Sequence, residues 1–460
     1  MKKLTVLASS LIAAASMMSA AHADYTPNVR MGSYFRAGID HAFQGTFSSW
    51  NKKGVGRLGN ESDLWAEVYL DVDAVKVNDT TWSGHVRFIY TNENGYNCDY
   101  GAENKVTLDE AYMTAHGLFQ SAPDAVLWGG KRYYHREASE IIDMKWYQVE
   151  GYGMGVEYIN LGPGKLSLAW FGRKDTVEYK SDSAKQQYVD KYDGNTVSNK
   201  VNSVIQSDKF DVEYGFSPFD GGWLNLRATL FLPSENDNQI MDFLENSEVK
   251  NAQLYAVALG TNHPLGWCNT VVKLANGANS NDPFDANGWL DVWSAKQSNS
   301  AQRWTFMNYG DLKIGDNFGL AHSLYATRGT GFKGGAADRD SDKAFSFVVR
   351  PYYKLGDYSK VYTELGFYTQ TTEAQNGSSV NEQGQKATLA YAISPDGGNW
   401  KAKPEFRLYV SYFHANQEAA NKSSPSGDKT FSAWQNGVAY EHTDLRKTQV
   451  VVGAQLEAYW

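Results

Sequence analysis

The chain has 460 residues, with 43 Lys and Arg against 52 Asp and Glu, for a formal net charge of −9. That acidic balance argues against a nucleic-acid partner, which calls for a basic face. The only two cysteines, Cys98 and Cys268, lie far apart and exclude a disulfide framework.

In chain order, the first element reads as a secretory signal. Lys2 and Lys3 form a basic start, Leu4 to Ala15 an apolar stretch too short to span a bilayer, and Ala21-His22-Ala23 an A-x-A cleavage site. Residues 1–23 are expected to be removed, leaving 24–460 as one domain with a charge of about −11. No later segment offers the roughly 18 uninterrupted apolar residues that a membrane helix needs.

Beyond the signal the sequence alternates. In 31–40, Met31, Phe35, Ala37 and Ile39 oppose Tyr34, Arg36 and Asp40. In 64–73, Leu64, Ala66, Val68, Leu70 and Val72 oppose Trp65, Glu67, Tyr69, Asp71 and Asp73. The same split recurs in 224–230, with Leu224, Leu226, Ala228 and Leu230 against Asn225, Arg227 and Thr229, and in 406–412, with Phe406, Leu408, Val410 and Tyr412 against Arg407, Tyr409 and Ser411. The last stretch sets Val450, Val452, Ala454, Leu456, Ala458 and Trp460 against Val451, Gly453, Gln455, Glu457 and Tyr459. A period of two marks a strand between two environments.

Short Gly, Pro and Asp clusters at 160–164, 218–222, 355–357 and 395–398 read as reversals, and the polar stretches 175–207, 276–302 and 371–386 as long loops. Short turns alternating with long loops fit an outer-membrane barrel, which is apolar only at every second residue and so keeps a low mean hydropathy. The 29 Tyr, 21 Phe and 14 Trp supply aromatic girdles at two membrane interfaces. A soluble sandwich also alternates, but its polar face rarely mixes large aromatics with charges; a wet lumen accommodates both. The fold class is therefore an all-β, antiparallel transmembrane barrel. About seventeen strand-like segments are visible, which an even strand number turns into 16 or 18.

Arg57-Leu58-Gly59-Asn60-Glu61 and Trp128-Gly129-Gly130-Lys131-Arg132-Tyr133-Tyr134 resemble the maltoporin-type sugar porins, as do Arg136, Ile142-Asp143, Gly164 to Ala169, the strand with Tyr34 and Arg36, and the end Gln455 to Trp460. The resemblance is dense over 57–169 and touches both ends of the chain. It implies 18 strands, a homotrimer in outer-membrane lipid, a constriction made by an inward-folded third loop, and a sugar substrate, with no cofactor.

It further implies a row of lumen aromatics, Trp65, Tyr34, Tyr459, Trp400 and Trp267, with Tyr96 or Tyr100 of the second outer loop donated to a neighbouring subunit. Trp400 and Arg407 lie an odd number of residues apart, so a bulge before Pro404 would be needed to give them one face. A charged track would comprise Arg36, Arg57, Glu67, Arg136 and Asp143. Aromatic rings suit the apolar C–H faces of a pyranose, and charges suit its hydroxyl rim. The sequence departs from that family at the constriction: Asp109 stands for an arginine, Ala138 and Gln148 for aspartates, Glu140 for a histidine and Lys145 for a tyrosine. The remodelled positions Asp109, Glu140 and Lys145 are added to the polar track, and the expected substrate is a maltodextrin-like or another oligosaccharide, a disaccharide or a glucoside. The family also places Cys98 on an outer loop and Cys268 near the periplasmic end, too far apart for a bridge.

No nucleophile with an oriented base, no G-x-S-x-G motif and no metal-ligand spacing points to catalysis. Gly151-Tyr152-Gly153-Met154-Gly155 lacks the phosphate-loop lysine and reads as a bend in the wall. The competing classes are a general-diffusion porin without a sugar lane and a structural or adhesive barrel, including a phage receptor.

Overall fold

The computed structural model describes residues 26–43, 51–61, 63–92, 105–179, 201–233, 249–282, 298–333, 339–422, 431–435, 438–442 and 447–460. The strands are β1 Asn28–Ala42, β2 Leu64–Val77, β3 Thr80–Asn92, β4 Lys105–His116, β5 Val126–Ser139, β6 Met144–Leu161, β7 Gly164–Tyr179, β8 Val201–Phe216, β9 Gly222–Pro233, β10 Ala252–His263 and β11 Gly266–Asn276. They continue with β12 Gln302–Ile314, β13 Phe318–Thr330, β14 Arg339–Lys354, β15 Ser359–Ala374, β16 Ser379–Ile393, β17 Glu405–Ala415, the small hairpin β18 Phe431–Gln435 and β19 Val438–His442, and β20 Thr448–Tyr459. Helices α1 (Lys52–Val55) and α2 (Gln417–Lys422) are short.

Each barrel strand pairs antiparallel with its neighbour. β17 pairs with β20, and β20 closes on β1 with Tyr34 opposite Tyr459. The result is an 18-stranded sheet, matching the larger of the two even numbers. Closure leaves no unpaired edge in the bilayer, where free N–H and C=O groups would be costly.

The alternation read from the sequence is the alternation of the wall. Along β17, Arg407, Tyr409 and Ser411 are buried inward while Phe406, Leu408, Val410 and Tyr412 are exposed outward. Outward aromatics collect toward both rims. Tyr255 and Trp304 stand toward the long-loop end, and Phe318, Tyr353, Tyr391, Phe406 and Trp460 toward the short-turn end.

One expected loop is largely strand, and a second is strand at both its ends. β15 and β16 extend through 371–386 around a turn at 375–378, and β7 and β8 take up 175–179 and 201–207. Beyond the membrane rim both faces of a strand meet water, so the hydrophobic alternation that reveals strands disappears while the ladder continues. The glycine-rich 151–155 lies within β6, and Gly151 marks the point where that strand turns away from the wall.

Two segments fold into the barrel. The first is the outer hairpin of β5 and β6. β4 pairs with β5 only as far as Lys131, and β7 pairs with β6 only from Tyr152 on, so residues 132–151 leave the wall as a free hairpin. Gly130 and Gly151 stand at this departure with φ of 135° and 131°, a region that side chains rarely adopt. A Cβ on Gly130 would also lie 2.4 Å from the Ala111 carbonyl oxygen. The hairpin buries Tyr134, Ile141, Ile142, Met144, Trp146, Tyr147 and Val149. It is pinned to the inner wall by Trp146 Nε1 donating to Tyr309 Oη at 2.9 Å, Lys273 Nζ to the Trp146 carbonyl at 2.8 Å, and the Arg227–Glu137 ion pair at 2.9 Å. This is the inward constriction loop that the family resemblance implied.

The second segment, 51–61 with α1, lies on the inner faces of β14 to β17. Lys386 Nζ donates to the carbonyls of Gly56 (2.9 Å) and Leu58 (2.6 Å), and Glu364 accepts from Leu58 N at 2.9 Å. Ser346 and Ser411 bond the carbonyls of Gly54 and Gly59. Gly366 allows the approach, because a Cβ there would sit 2.0 Å from the Val55 carbonyl oxygen. Arg57 N donates to the Ile141 carbonyl at 3.0 Å, joining the two plugs.

Candidate functional site: the open strip of the lumen

The plugs cover the inner faces of β8 to β17. The lumen strip formed by β20 and β1 to β5 is left facing them, and here the wall carries part-exposed aromatic and charged side chains. Register sets the order. Trp65 is opposite Arg36, and Arg36 opposite Glu457; Glu67 is opposite Tyr34, and Tyr34 opposite Tyr459. Trp65, Tyr34 and Tyr459 therefore step across three neighbouring strands.

Two of the three rings are held by charge, and Tyr459 Oη donates to the Lys401 carbonyl at 2.9 Å. Trp65 Nε1 donates to Glu67 at 2.8 Å, and the Arg36 guanidinium lies 5.5 Å from the Trp65 ring. Tyr34 Oη donates to Glu457 at 2.9 Å and accepts from Arg57 at 3.3 Å. Arg36 Nε is bonded to Asp63 at 2.7 Å, and its guanidinium reaches Glu61 at 3.3 Å.

Where the plugs meet, a compact ionic cluster forms. Arg57 pairs with Glu61 at 2.8 Å and Glu457 at 3.1 Å, while Lys52 pairs with Asp143 at 2.6 Å and Glu61 at 3.0 Å. Burial alone would raise the Glu61 carboxyl, but Arg57, Arg36 and Lys52 outweigh it and hold Glu61 below its ordinary value. Asp143 is held low in the same way by Arg57 and Lys52. Burial opposes the charge on Lys52, yet Glu61 and Asp143 more than offset it and raise its pKa.

The remaining expected positions divide. Arg136 lies over the Tyr133 ring at 4.6 Å, and Tyr133 Oη donates to Asp109, which a bulge in β4 turns inward beside Glu110. Lys145 stands opposite Ala138 within the inward hairpin. Glu140, at the hairpin tip, pairs with Lys401 at 3.0 Å. Trp267 occupies the lumen face of β11 near the short-turn end, edge-on to Tyr309 with centroids 5.8 Å apart.

Trp400 departs from expectation. It belongs to no strand: β17 begins at Glu405, and Trp400 sits in the long turn before it. Strand parity does not govern a turn, so no bulge is needed. Its ring is buried, only 6% exposed, with the Arg350 guanidinium 5.2 Å away. Cys268 is free and half-buried, accepting from Asn308 at 3.0 Å. Tyr96, Cys98 and Tyr100 lie outside the described residues.

Several lumen residues were not singled out from the sequence. Tyr69 shares the inward parity of Trp65, a signal already present in 64–73. Arg87 stands 5.6 Å from the Tyr69 ring and 5.8 Å from that of Tyr133, paired with Glu110 at 2.8 Å. Lys52 and Lys401 sit in non-strand segments, where parity gives no signal. Among the described residues, no group of three or more His, Cys, Asp or Glu could hold a metal ion.

The family model for LamB porin matches residues 24–460, nearly the whole chain. The chain belongs to the LamB porin family. Its barrel is thus that of a porin of the bacterial outer membrane. This LamB porin is 29% identical over 451 residues to Maltoporin 1 of Klebsiella pneumoniae, covering 95% of this chain and 97% of that one. It is 29% identical to Maltoporin 1 of Aeromonas salmonicida, covering 90% and 94% of the two chains, and 27% identical to Maltoporin 2 of Yersinia pestis, covering 89% and 92%.

Proposed function

We propose that this LamB porin conducts sugars by facilitated diffusion along the open strip, with Trp65, Tyr34 and Tyr459 as the stacking row. Trp267 continues the row below, and Trp400 backs it from the turn. Arg36, Arg57, Glu67, Asp109, Arg136, Glu140, Asp143 and Lys145 form the polar side. The carrying observation is the register that sets three aromatic rings on adjacent strands beside fixed charges, opposite a filled half-lumen. Rings give area without demanding one hydroxyl pattern, and the charges supply hydrogen bonds to the rim. A row of modest sites lets a solute enter and leave, where one tight site would trap it. The work is transport, not catalysis.

The match beginning at residue 24 supports removal of residues 1–23 as a signal. Small outward residues on neighbouring strands, Ala37, Ala66, Gly84, Ala111, Ala454 and Ala458, favour close packing of a second barrel against β20 and β1 to β4, and so a homotrimer in outer-membrane lipid. Maltodextrin-like sugars are the first candidates, given the names of the relatives; the altered Glu140 and Lys145 argue for a shifted preference.

Sugar block of single-channel current tests the reading. In Trp65→Ala the stacking face is lost, and the blocking constant should fall several-fold, the effect of about 1 kcal/mol typical of an aromatic contact. Unchanged block would remove Trp65 from the lane, and a native channel that no oligosaccharide blocks would make the protein a sieve or an adhesive barrel.

A further inference from the structure

The aromatic row is interrupted at its lower end by a cation. Lys401 follows Trp400 in the turn before β17, and its ammonium lies over two rings at once, 4.7 Å from the centroid of Trp267 and 5.3 Å from that of Trp400. The same ammonium pairs at 3.0 Å with Glu140, the tip of the inward hairpin, 261 residues away in sequence. Its backbone is fixed independently. The Lys401 carbonyl accepts from Tyr459 Oη at 2.9 Å, and Lys401 N donates to Asn399 Oδ1 at 2.9 Å. A rigid main chain thus carries a movable head placed between Tyr459 and Trp267.

A cation on an indole face and a sugar on that face are mutually exclusive, since both use the same π surface. Trp267 makes a T-shaped contact with Tyr309 and has the ammonium over its ring. The ion pair itself is solvated, with Lys401 32% and Glu140 53% exposed, which makes it a weak contact that a ligand can displace.

We propose that Lys401 is a specificity-determining residue: a displaceable cap, anchored by Glu140, that withholds Trp267 from neutral sugars and so limits the length of chain the lane rewards. The proposal rests on the sugar-lane reading above. A short sugar uses Trp65, Tyr34 and Tyr459 and never meets the cap. A longer one reaches Trp267 only by lifting the ammonium off the ring and away from Glu140. The stacking it gains is then offset by giving up the cation–ring attraction and the ion pair. Binding should therefore strengthen with chain length at first and then level off.

The test uses the full channel in planar bilayers, blocked by linear 1,4-linked glucose oligomers of increasing length. In the native protein, block should plateau. In Lys401→Ala it should keep strengthening with length, reaching several-fold above native for the longest oligomers while the shortest change little. Lys401→Arg should restore the plateau, and Glu140→Gln, which loosens the anchor without touching the turn, should fall between. The heat stability of each variant is measured alongside; the Tyr459 bond to the residue 401 carbonyl survives every substitution. Native block whose length dependence is identical in Lys401→Ala overturns the cap and leaves the lane standing. Absence of block by any oligomer in the native protein overturns the lane and the cap together.

Discussion

The two sides of the lumen follow opposite rules although they are built from the same alternating strands. On β8 to β17 the inward side chains are largely buried, and two chain segments lie on them: Trp146 and Tyr147 on one stretch, Val55 and Leu58 on the other, all essentially unexposed. On β20 and β1 to β4 segment 51–61 touches the wall at Tyr34, Arg36, Gln455 and Glu457, and the rings of Tyr34, Trp65, Tyr69 and Tyr459 remain part-exposed. The filled side behaves as a soluble protein's core placed inside a barrel, where packing and satisfied hydrogen bonds decide the outcome. The open side is a surface, where a side chain can be lost without leaving a cavity. The same type of substitution should therefore damage stability on one side and solute handling on the other.

The largest effect is expected on the filled side. Trp146→Ala removes a buried indole and one of the two hydrogen bonds that Tyr309 Oη accepts, the other coming from Asn269, a change that costs about 3–5 kcal/mol in a packed core. The inward hairpin should detach, raising sugar-free conductance and lowering the heat stability of the folded barrel. Trp65→Ala on the open side should leave heat stability near native. Equal loss of stability in the two mutants would erase the distinction between the sides.

Next is the clamp on the first plug. Lys386→Met removes the ammonium that holds two carbonyls and leaves the buried Glu364 with the buried Arg350 as its ion-pair partner and Leu58 N as a hydrogen-bond donor. Truncating one partner of a buried pair is destabilising by about 3–5 kcal/mol when the other charge is left uncompensated, and Arg350 should soften that here. Residues 51–61 should become susceptible to protease in folded channels, and current noise should rise. Protease resistance equal to native would show that the plug does not depend on the clamp.

The contrast also explains what the sequence disclosed. Tyr34, Arg36, Trp65 and Glu67 were legible because they sit on strands crossing the apolar band, where parity alone assigns a face. The fold followed from the same signal, down to the closing strand at Tyr459. Lys386 and Glu364 carry no such meaning by themselves. Their importance comes from backbone groups more than 300 residues away, the Leu58 carbonyl for Lys386 and the Leu58 N–H for Glu364, delivered by a segment whose path no local pattern encodes. Trp400 could be given no face from the sequence for a related reason, since it lies in a turn where a period of two has no force. The strand ends at 371–374 and 379–381 were hidden because water on both faces erases the alternation, and 382–386 because its inward side chains, Glu382 and Lys386, are charged.

On the open side, Tyr69→Ala should have a moderate effect. Tyr69 lies over Gly32, with its ring 5.6 Å from the Arg87 guanidinium, four residues along β2 from Trp65. Removing it widens the strip and loosens Arg87, so sugar-free conductance should rise slightly and ion selectivity should shift toward anions as Arg87 gains freedom. Reversal potentials under a salt gradient read this directly, and values equal to native would place Tyr69 outside the conducting path.

The smallest expected effect is that of pH on the junction between the plugs. Glu61 and Asp143 hold Arg57 and Lys52 across it, and both carboxyls lie below their ordinary values because those cations outweigh the effect of burial. A carboxylate whose folded pKa is depressed contributes stability that is fully present above its unfolded value, about 4, and is lost as pH falls through the lower folded value. Between pH 8 and pH 5 the junction should therefore not change, and neither sugar-free conductance nor current noise should follow pH through these groups. Noise should rise only in stronger acid, as protonation releases Lys52 from Asp143. Asp143→Asn should reproduce the acid behaviour at neutral pH, because the amide removes the charge and keeps the shape. A noise transition in the native channel centred between pH 5 and pH 7, and persisting in Asp143→Asn, would assign the pH response to another group and leave the junction without a part in it.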